Sequence, residues 1–115
     1  MAAKEAFVKI WYDTEFIEDG RTIDLISIGL VREDGAELYL ESMEYDETKA
    51  SDWVKQNVFP GLQGYGALAM RWQIRDRVLE FAGEKPEFWA YYASYDWVTL
   101  CQLFGRMIDL PKGWP

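Results

Sequence analysis

Asp13 and Glu15 are the residues best suited to do chemistry in this sequence. They stand one residue apart in Tyr12-Asp13-Thr14-Glu15-Phe16. The run before them, Ala6-Phe7-Val8-Lys9-Ile10-Trp11, reads as a buried strand because aromatic and β-branched residues dominate it. Residues two apart on an extended chain share a face. Both carboxylates are therefore expected to point the same way, from the C-terminal end of the first strand. Side by side they repel, and one pKa rises unless a cation neutralises them. A hard divalent ion such as Mg²⁺ suits oxygen ligands of this kind. Taken alone, the tripeptide also reads as a polar strand end facing water, so the elements around it must decide.

Thr22 to Val31 reads as a central strand, with Ile26, Ile28 and Leu30 on one face and Leu25 and Val31 on the other. Glu33-Asp34-Gly35-Ala36 is a hairpin turn, and Glu37 to Glu41 is the returning strand. Strands joined by turns this short imply an antiparallel meander. Asp52-Trp53-Val54-Lys55 opens a short helix that Ser51 or Asp52 can cap, and Phe59 to Gly66 is a Pro/Gly loop. The spacing of Met70, Ile74, Val78 and Phe81 predicts a helix over 67–82, with Arg71, Arg75, Asp76 and Glu80 facing outward. Glu87 to Tyr92 reads as a further strand, parallel to the first because a helix intervenes. Ala93-Ser94-Tyr95-Asp96 then opens an apolar helix with Ser94 as its expected N-cap. Ligands of α/β sheets gather at strand C-termini, which brings Asp96 toward Asp13 and Glu15.

The 115 residues suffice for one domain, 1–115, and 50% hydrophobic content supports a packed core. No run approaches the ~18 consecutive apolar residues of a membrane span, and the N-terminus lacks a signal-peptide core. A lone cysteine, Cys101, excludes an internal disulfide and fits a cytoplasmic protein. On an apolar helix face it reads as a small buried hydrophobe. The net charge of −8 argues against a protein that coats duplexes through a basic stripe. The chain contains no histidine. That removes His ligands, a His general base and Ser-His pairs, so any catalysis must run on carboxylates, metals, Tyr, Lys or the single Cys.

The order of these elements resembles that of the DEDD, or DnaQ-like, 3′–5′ exonucleases, and within them the actinobacterial polyadenylate-specific exoribonucleases. The resemblance is carried by Tyr12-Asp13-Thr14-Glu15-Phe16-Ile17-Glu18-Asp19-Gly20, by Ile23-Asp24-Leu25-Ile26-Ser27-Ile28-Gly29, by Gln73-Ile74-Arg75, and by Ala93-Ser94-Tyr95-Asp96 with Leu100-Cys101-Gln102-Leu103. It implies an α/β ribonuclease H-like fold, a three-stranded antiparallel meander plus a parallel fourth strand with helices. It also implies two-metal hydrolysis of the 3′-terminal phosphodiester with Mg²⁺ or Mn²⁺. Asp13 would bridge both ions, Glu15 would hold the one carrying the attacking water, and Asp96 would serve the one at the leaving 3′-oxygen. The implied substrate is the 3′ end of single-stranded, adenine-rich RNA, and the products are nucleoside monophosphates. The family's third motif, a His and a fourth Asp, has no counterpart before Pro115. The resemblance thus describes a C-terminally truncated domain that alone is expected to be inactive or strongly impaired. A nuclease-derived binding module, or the N-terminal part of an enzyme completed by another chain, is the alternative.

Thr14, Phe16 and Tyr95 are candidates for substrate contact. Phe16 could wedge against a base, and Tyr91, Tyr92, Tyr95 and Trp97 could stack one, although aromatics at such positions also serve as core. Arg71 and Arg75 could touch phosphate or simply form a solvated helix face. Apolar side chains around Val8, Ile10, Phe88 and Ala90 are expected to lie partly uncovered, beside an open edge of the fourth strand. A homodimer or a partner chain is expected over that face.

Overall fold

The computed structural model describes residues 6–91 and 93–114. Its centre is a five-stranded sheet in the order β4-β3-β2-β1-β5. The meander is β1 (Val8–Glu18), β2 (Ile23–Arg32) and β3 (Glu37–Ser42), each antiparallel to the next. As expected, β5 (Pro86–Trp89) runs parallel to β1 and ends the sheet as an edge strand. On the opposite edge, β4 (Leu68–Ala69) pairs parallel with β3. Nothing in the sequence pattern announces it: it is two residues long and sits where the helical period was expected to begin.

Among the described residues there are three α-helices: α1 (Asp52–Asn57) between β3 and β4, α2 (Arg71–Ala82) between β4 and β5, and α3 (Ala93–Gln102) after β5. Ser51 caps α1 by accepting a hydrogen bond from the Val54 amide at 3.2 Å. The α2 helix begins at Arg71, not at residue 67. Met70 is its N-cap and is exposed, and the Met70 amide donates to the Gln73 side chain at 2.8 Å. The buried stripe is therefore Ile74, Val78 and Ala82, with Phe81 partly covered. Ser94 lies inside the first turn of α3 and is not its cap. Tyr92 lies outside the described residues.

Two apolar clusters cover the two faces of the sheet. The larger joins Ile10, Tyr12, Ile28, Leu30, Leu38 and Leu40 to Ile74, Val78 and Leu100 of α2 and α3. The smaller joins Ile17 and Ile26 to Val54 and Val58 beside α1. Ile26 thus parts from Ile28 and Leu30, contrary to the simple alternation. Register explains this: Glu15 pairs with Ser27 but Phe16 with Leu25, so β2 carries one extra residue and its side-chain phase shifts. Leu25 accordingly joins the larger cluster.

The loop 59–66 is tied to the sheet by a buried charge. Glu41 is 1% exposed and accepts hydrogen bonds from the Tyr39 hydroxyl (2.5 Å) and from the amides of Gln63 (2.6 Å) and Gly64 (2.8 Å). Burial pushes its carboxyl up, but those hydrogen bonds outweigh burial and hold it below the usual range.

Of the side chains expected to lie partly uncovered, Val8, Phe88 and Ala90 are half-buried, as expected, and Ile10 is not. Ile10 is wholly buried, and the Phe88 ring packs against Tyr12, Trp97 and Trp114. The open apolar surface is on the other face of the same strands. Trp89, Trp11 and Val31 are neighbours in register and are 51%, 47% and 42% exposed. Ile10→Ala should therefore cost about 2–5 kcal/mol in chemical denaturation, as for a filled core position. Trp11→Ser, one residue away, should cost under about 1 kcal/mol. Equal losses would mean that the two faces of β1 have been misassigned.

Candidate active site

Pairing of β1 with β5 extends from Val8 to Trp11 and stops, whereas pairing with β2 continues to Glu18. Asp13 and Glu15 thus sit inside a long strand and not at its end. They lie just past the C-terminal limit of the parallel ladder, where one edge of β1 is open. The amide of Val8 donates toward the β5 side, to the Lys85 carbonyl. By the two-residue period of a strand the Thr14 amide faces that side too, and there β5 has already ended. Asp96, in the first turn of α3 and 6% exposed, fills the gap. Its Oδ1 accepts hydrogen bonds from the Thr14 amide at 3.2 Å and from the Thr14 hydroxyl.

The edge opens into a cavity of about 640 Å³ lined by Tyr12 to Phe16 on the strand and by Tyr91, Ser94, Tyr95 and Asp96. It brings together Asp13, Glu15, Asp96, Thr14, Phe16 and Tyr95. Phe16 and Tyr95 meet edge to face with ring centroids 5.8 Å apart, and Tyr91 stands exposed at the rim. Trp97 instead turns toward the core against Phe88. Arg71 lies elsewhere, paired with Asp24 in a separate depression, and Arg75 pairs with its neighbour Asp76. Neither arginine lines the acidic cavity.

The carboxylates feel one another. Burial raises the Asp13 carboxyl above its ordinary value, and the charge of Asp96 adds to this. Glu15 is raised by burial, then by Asp13 and Asp96. Among the described residues, however, no three His, Cys, Asp or Glu side chains are arranged to hold a metal ion. Thr14 holds the Asp96 carboxylate, while Asp13 and Glu15 alternate away from Thr14 along the strand. What remains is a two-carboxylate site. It fits a Mg²⁺-like ion, which takes one or two carboxylates and completes its shell with water and substrate oxygens.

Sequence reasoning missed a second cavity on the other side of the acidic pair. There Asp13 and Glu15 are joined by Ser27, Gly29, Tyr39 and Asn57. The one available signal was Gly29, a glycine inside an apolar strand.

An α/β sheet with paired carboxylates at its open edge, ringed by aromatic side chains, is the arrangement of a nuclease-like hydrolase. The chain belongs to the 3′–5′ exoribonuclease Rv2179c-like family, whose model matches residues 8–115. It is 46% identical to the 3′-5′ exoribonuclease Rv2179c of Mycobacterium tuberculosis strain H37Rv, over 94% of this chain and 68% of that one. The same figures hold for 3′-5′ exoribonuclease MT2234.1 of M. tuberculosis strain CDC 1551. The fold and family together make this a hydrolase of the 3′–5′ exoribonuclease type. Among the described residues no helix is long and apolar enough to cross a membrane.

The raised carboxyls set a sign for stability. In the fold Asp13 and Glu15 hold protons more tightly than in the unfolded chain, so the stability they contribute is present at low pH and lost as pH rises through their folded values. In chelator at pH 7, Asp13→Asn should raise the melting temperature by a few degrees, and the gain should vanish below about pH 4. A variant less stable than wild type at pH 7 would show that burial and the charge of Asp96 do not disfavour the Asp13 carboxylate.

Proposed function

We propose that this chain is a divalent-metal-dependent exoribonuclease domain of DEDD type on a ribonuclease H-like fold. It removes nucleoside monophosphates from adenine-rich RNA 3′ ends. The observation that carries the reading is the cavity at the open edge of β1, where Asp13, Glu15 and Asp96 share walls with Phe16 and Tyr95. The fold assignment follows the order β3-β2-β1-β5, an antiparallel meander with a parallel strand beside its first member. The adenine preference rests on the sequence resemblance.

Asp13 and Glu15 would hold Mg²⁺ or Mn²⁺. Bound there, the metal supplies an activated water and charge stabilisation at the departing 3′-oxygen. The protein's own part is positioning. Asp96, held by both hydrogen-bonding groups of Thr14, fixes the start of α3 against β1 and with it Tyr95. Phe16 and Tyr95 offer faces on which bases stack without much regard to sequence. A cytoplasmic setting fits the single buried cysteine.

One observation favours a binding module as the second reading: the third carboxylate is taken up by Thr14, and among the described residues no three acidic side chains are arranged to hold a metal ion. Turnover separates the two. Pure protein with Mn²⁺ should release AMP from oligo(A), and Asp13→Asn should abolish release. With no histidine in the chain, no imidazole can deprotonate the water. A missing general base costs about 10²–10⁴-fold, so release should be slow and should climb steadily from pH 7 to 9. Release in chelator, or by Asp13→Asn at the wild-type rate, would sink the metal reading. Tight oligo(A) binding with no release at any pH would establish the binding module.

The homodimer belongs to the same proposal. The row Trp89, Trp11 and Val31, beside an unpaired edge strand, is the surface a second copy would cover. Light scattering at micromolar concentration should give twice the monomer mass for wild type and the monomer mass for Trp11→Lys. A wild-type monomer would remove this part of the proposal.

A further inference from the structure

The depression that holds Arg71 has a volume of about 720 Å³ and shares no lining residue with the acidic cavity of Tyr95 and Phe16. Two elements nevertheless join them. In the β1–β2 ladder, Asp24 of the depression pairs with Ile17, the residue after Phe16. On α3, Tyr95 of the cavity is followed at three and seven residues by Val98 and Gln102 of the depression, so all three share one helix face. Each of them is exposed. From Tyr95 to Gln102 the helix rises about 10 Å. Three stacked nucleotides, at about 3.4 Å apiece, span the same length.

The depression is poorly charged for a phosphate and well equipped for a base. Arg21 and Arg71 are balanced by Asp24 and Glu44, and Arg71 is already paired with Asp24. What remains is neutral hydrogen-bonding capacity. The Gln102 carboxamide has no partner among the described residues. Glu44 accepts the Arg71 amide on Oε2, which leaves Oε1 open. The Arg71 Nε–H is buried and finds no acceptor among the described residues, and such an orphan donor is costly unless a ligand answers it. This set matches a base that places an amino group beside a ring nitrogen. Adenine does so with N6 and N7, a pair that a glutamine carboxamide reads through two hydrogen bonds. A carboxylate accepts from that amino group but repels the keto oxygen of guanine or uracil. Val98 adds apolar surface for the ring.

We infer that this depression is a second subsite for the substrate strand, receiving the base of an adenine about three nucleotides upstream of those on Phe16 and Tyr95, with Gln102 as the residue that selects it. The inference rests on the exoribonuclease reading above. It gives the adenine preference a source in this chain's own side chains. The upstream base enters the depression while its phosphate stays outside, as Asp24 and Glu44 require. The face of α3 from Tyr95 through Val98 to Gln102 is the track between the two subsites.

The test is the anisotropy of 5′-labelled oligo(A), an octamer and a trimer, titrated with the protein in Mg²⁺ in the cold, before appreciable release. Gln102→Met keeps the bulk and helix propensity of the exposed glutamine and removes its hydrogen-bonding groups. It should weaken the octamer about tenfold and leave the trimer unchanged. A single inosine, which replaces the amino group with a keto oxygen, is then walked along the five 5′ positions of the octamer. At one position it should weaken wild type about tenfold, and at that position it should have no further effect on Gln102→Met. Equal octamer affinity for wild type and variant, with no inosine-sensitive position, overturns the inference. AMP release by the same wild-type protein then leaves the exoribonuclease reading standing. A loss in Gln102→Met that is equal for trimer and octamer marks a general effect on the fold and overturns the subsite. An inosine effect that persists in the variant overturns the role of Gln102. An octamer that neither binds nor yields AMP overturns inference and reading together.

Discussion

The hydrogen bonds from Thr14 to Asp96 hold the working end of the molecule together. A strand whose neighbour stops early leaves backbone donors facing nothing, and a buried donor without a partner is costly. Here β5 ends at Trp89 while β1 runs on to Glu18. Asp96 supplies the acceptor that a longer β5 would have supplied. Because Asp96 lies in the first turn of α3, satisfying one strand amide also sets where that helix begins. Tyr95, the neighbouring residue, then meets Phe16 of β1. The open edge, the helix start and the aromatic pair are thus one solution to a single unpaired stretch of backbone.

That solution has an electrostatic cost, which falls on Asp13 and Glu15. Both are raised by partial burial and by the acids around them. Glu41 is buried more deeply yet is held below the ordinary range. The difference lies in the donors. Glu41 is surrounded by a hydroxyl and two amides of its own chain. The acidic pair faces two cavities, and burial first and then the neighbouring acids raise both of its carboxyls. A carboxylate satisfied from within serves architecture, whereas one left to repel its neighbours is poised for a ligand that brings positive charge.

The meander and the placing of Asp96 were legible because they rest on local signals: alternation, an Asp-Gly turn, and an acidic residue opening an apolar helix. The failures were non-local. The extra residue in β2 that sends Ile26 to the other face depends on pairing with β1, which no period within β2 reveals. The two-residue β4 exists because Glu41 and Met43 of the β3 segment bond to the backbone of Ala67 and Ala69, and it shortened the helix read there. Ile10 was expected to be partly uncovered but is wholly buried in the cluster that α2 and α3 complete. Of the candidate site, Asp13, Glu15, Thr14, Phe16, Tyr95 and Asp96 come together, while Arg71 and Arg75 find acids of their own.

Those arginine pairs bear on how so acidic a chain can handle a polyanion. With a net charge of −8, Arg32 is tied to Asp34, Arg71 to Asp24, Arg75 to Asp76 and Arg106 to Asp109. A long helical nucleic acid gains affinity by releasing counterions to many lysines and arginines, and here several of the cations are already neutralised. A strand end asks for less. Base stacking on Phe16 and Tyr95 needs no protein charge, and a cation held by Asp13 and Glu15 would draw in the one phosphate that matters while leaving the rest of the backbone repelled. On this account the acidity of the surface is itself selective. It would disfavour duplex and internal segments and leave the terminus, where stacking and a bound metal would act together, as the part of a strand able to bind.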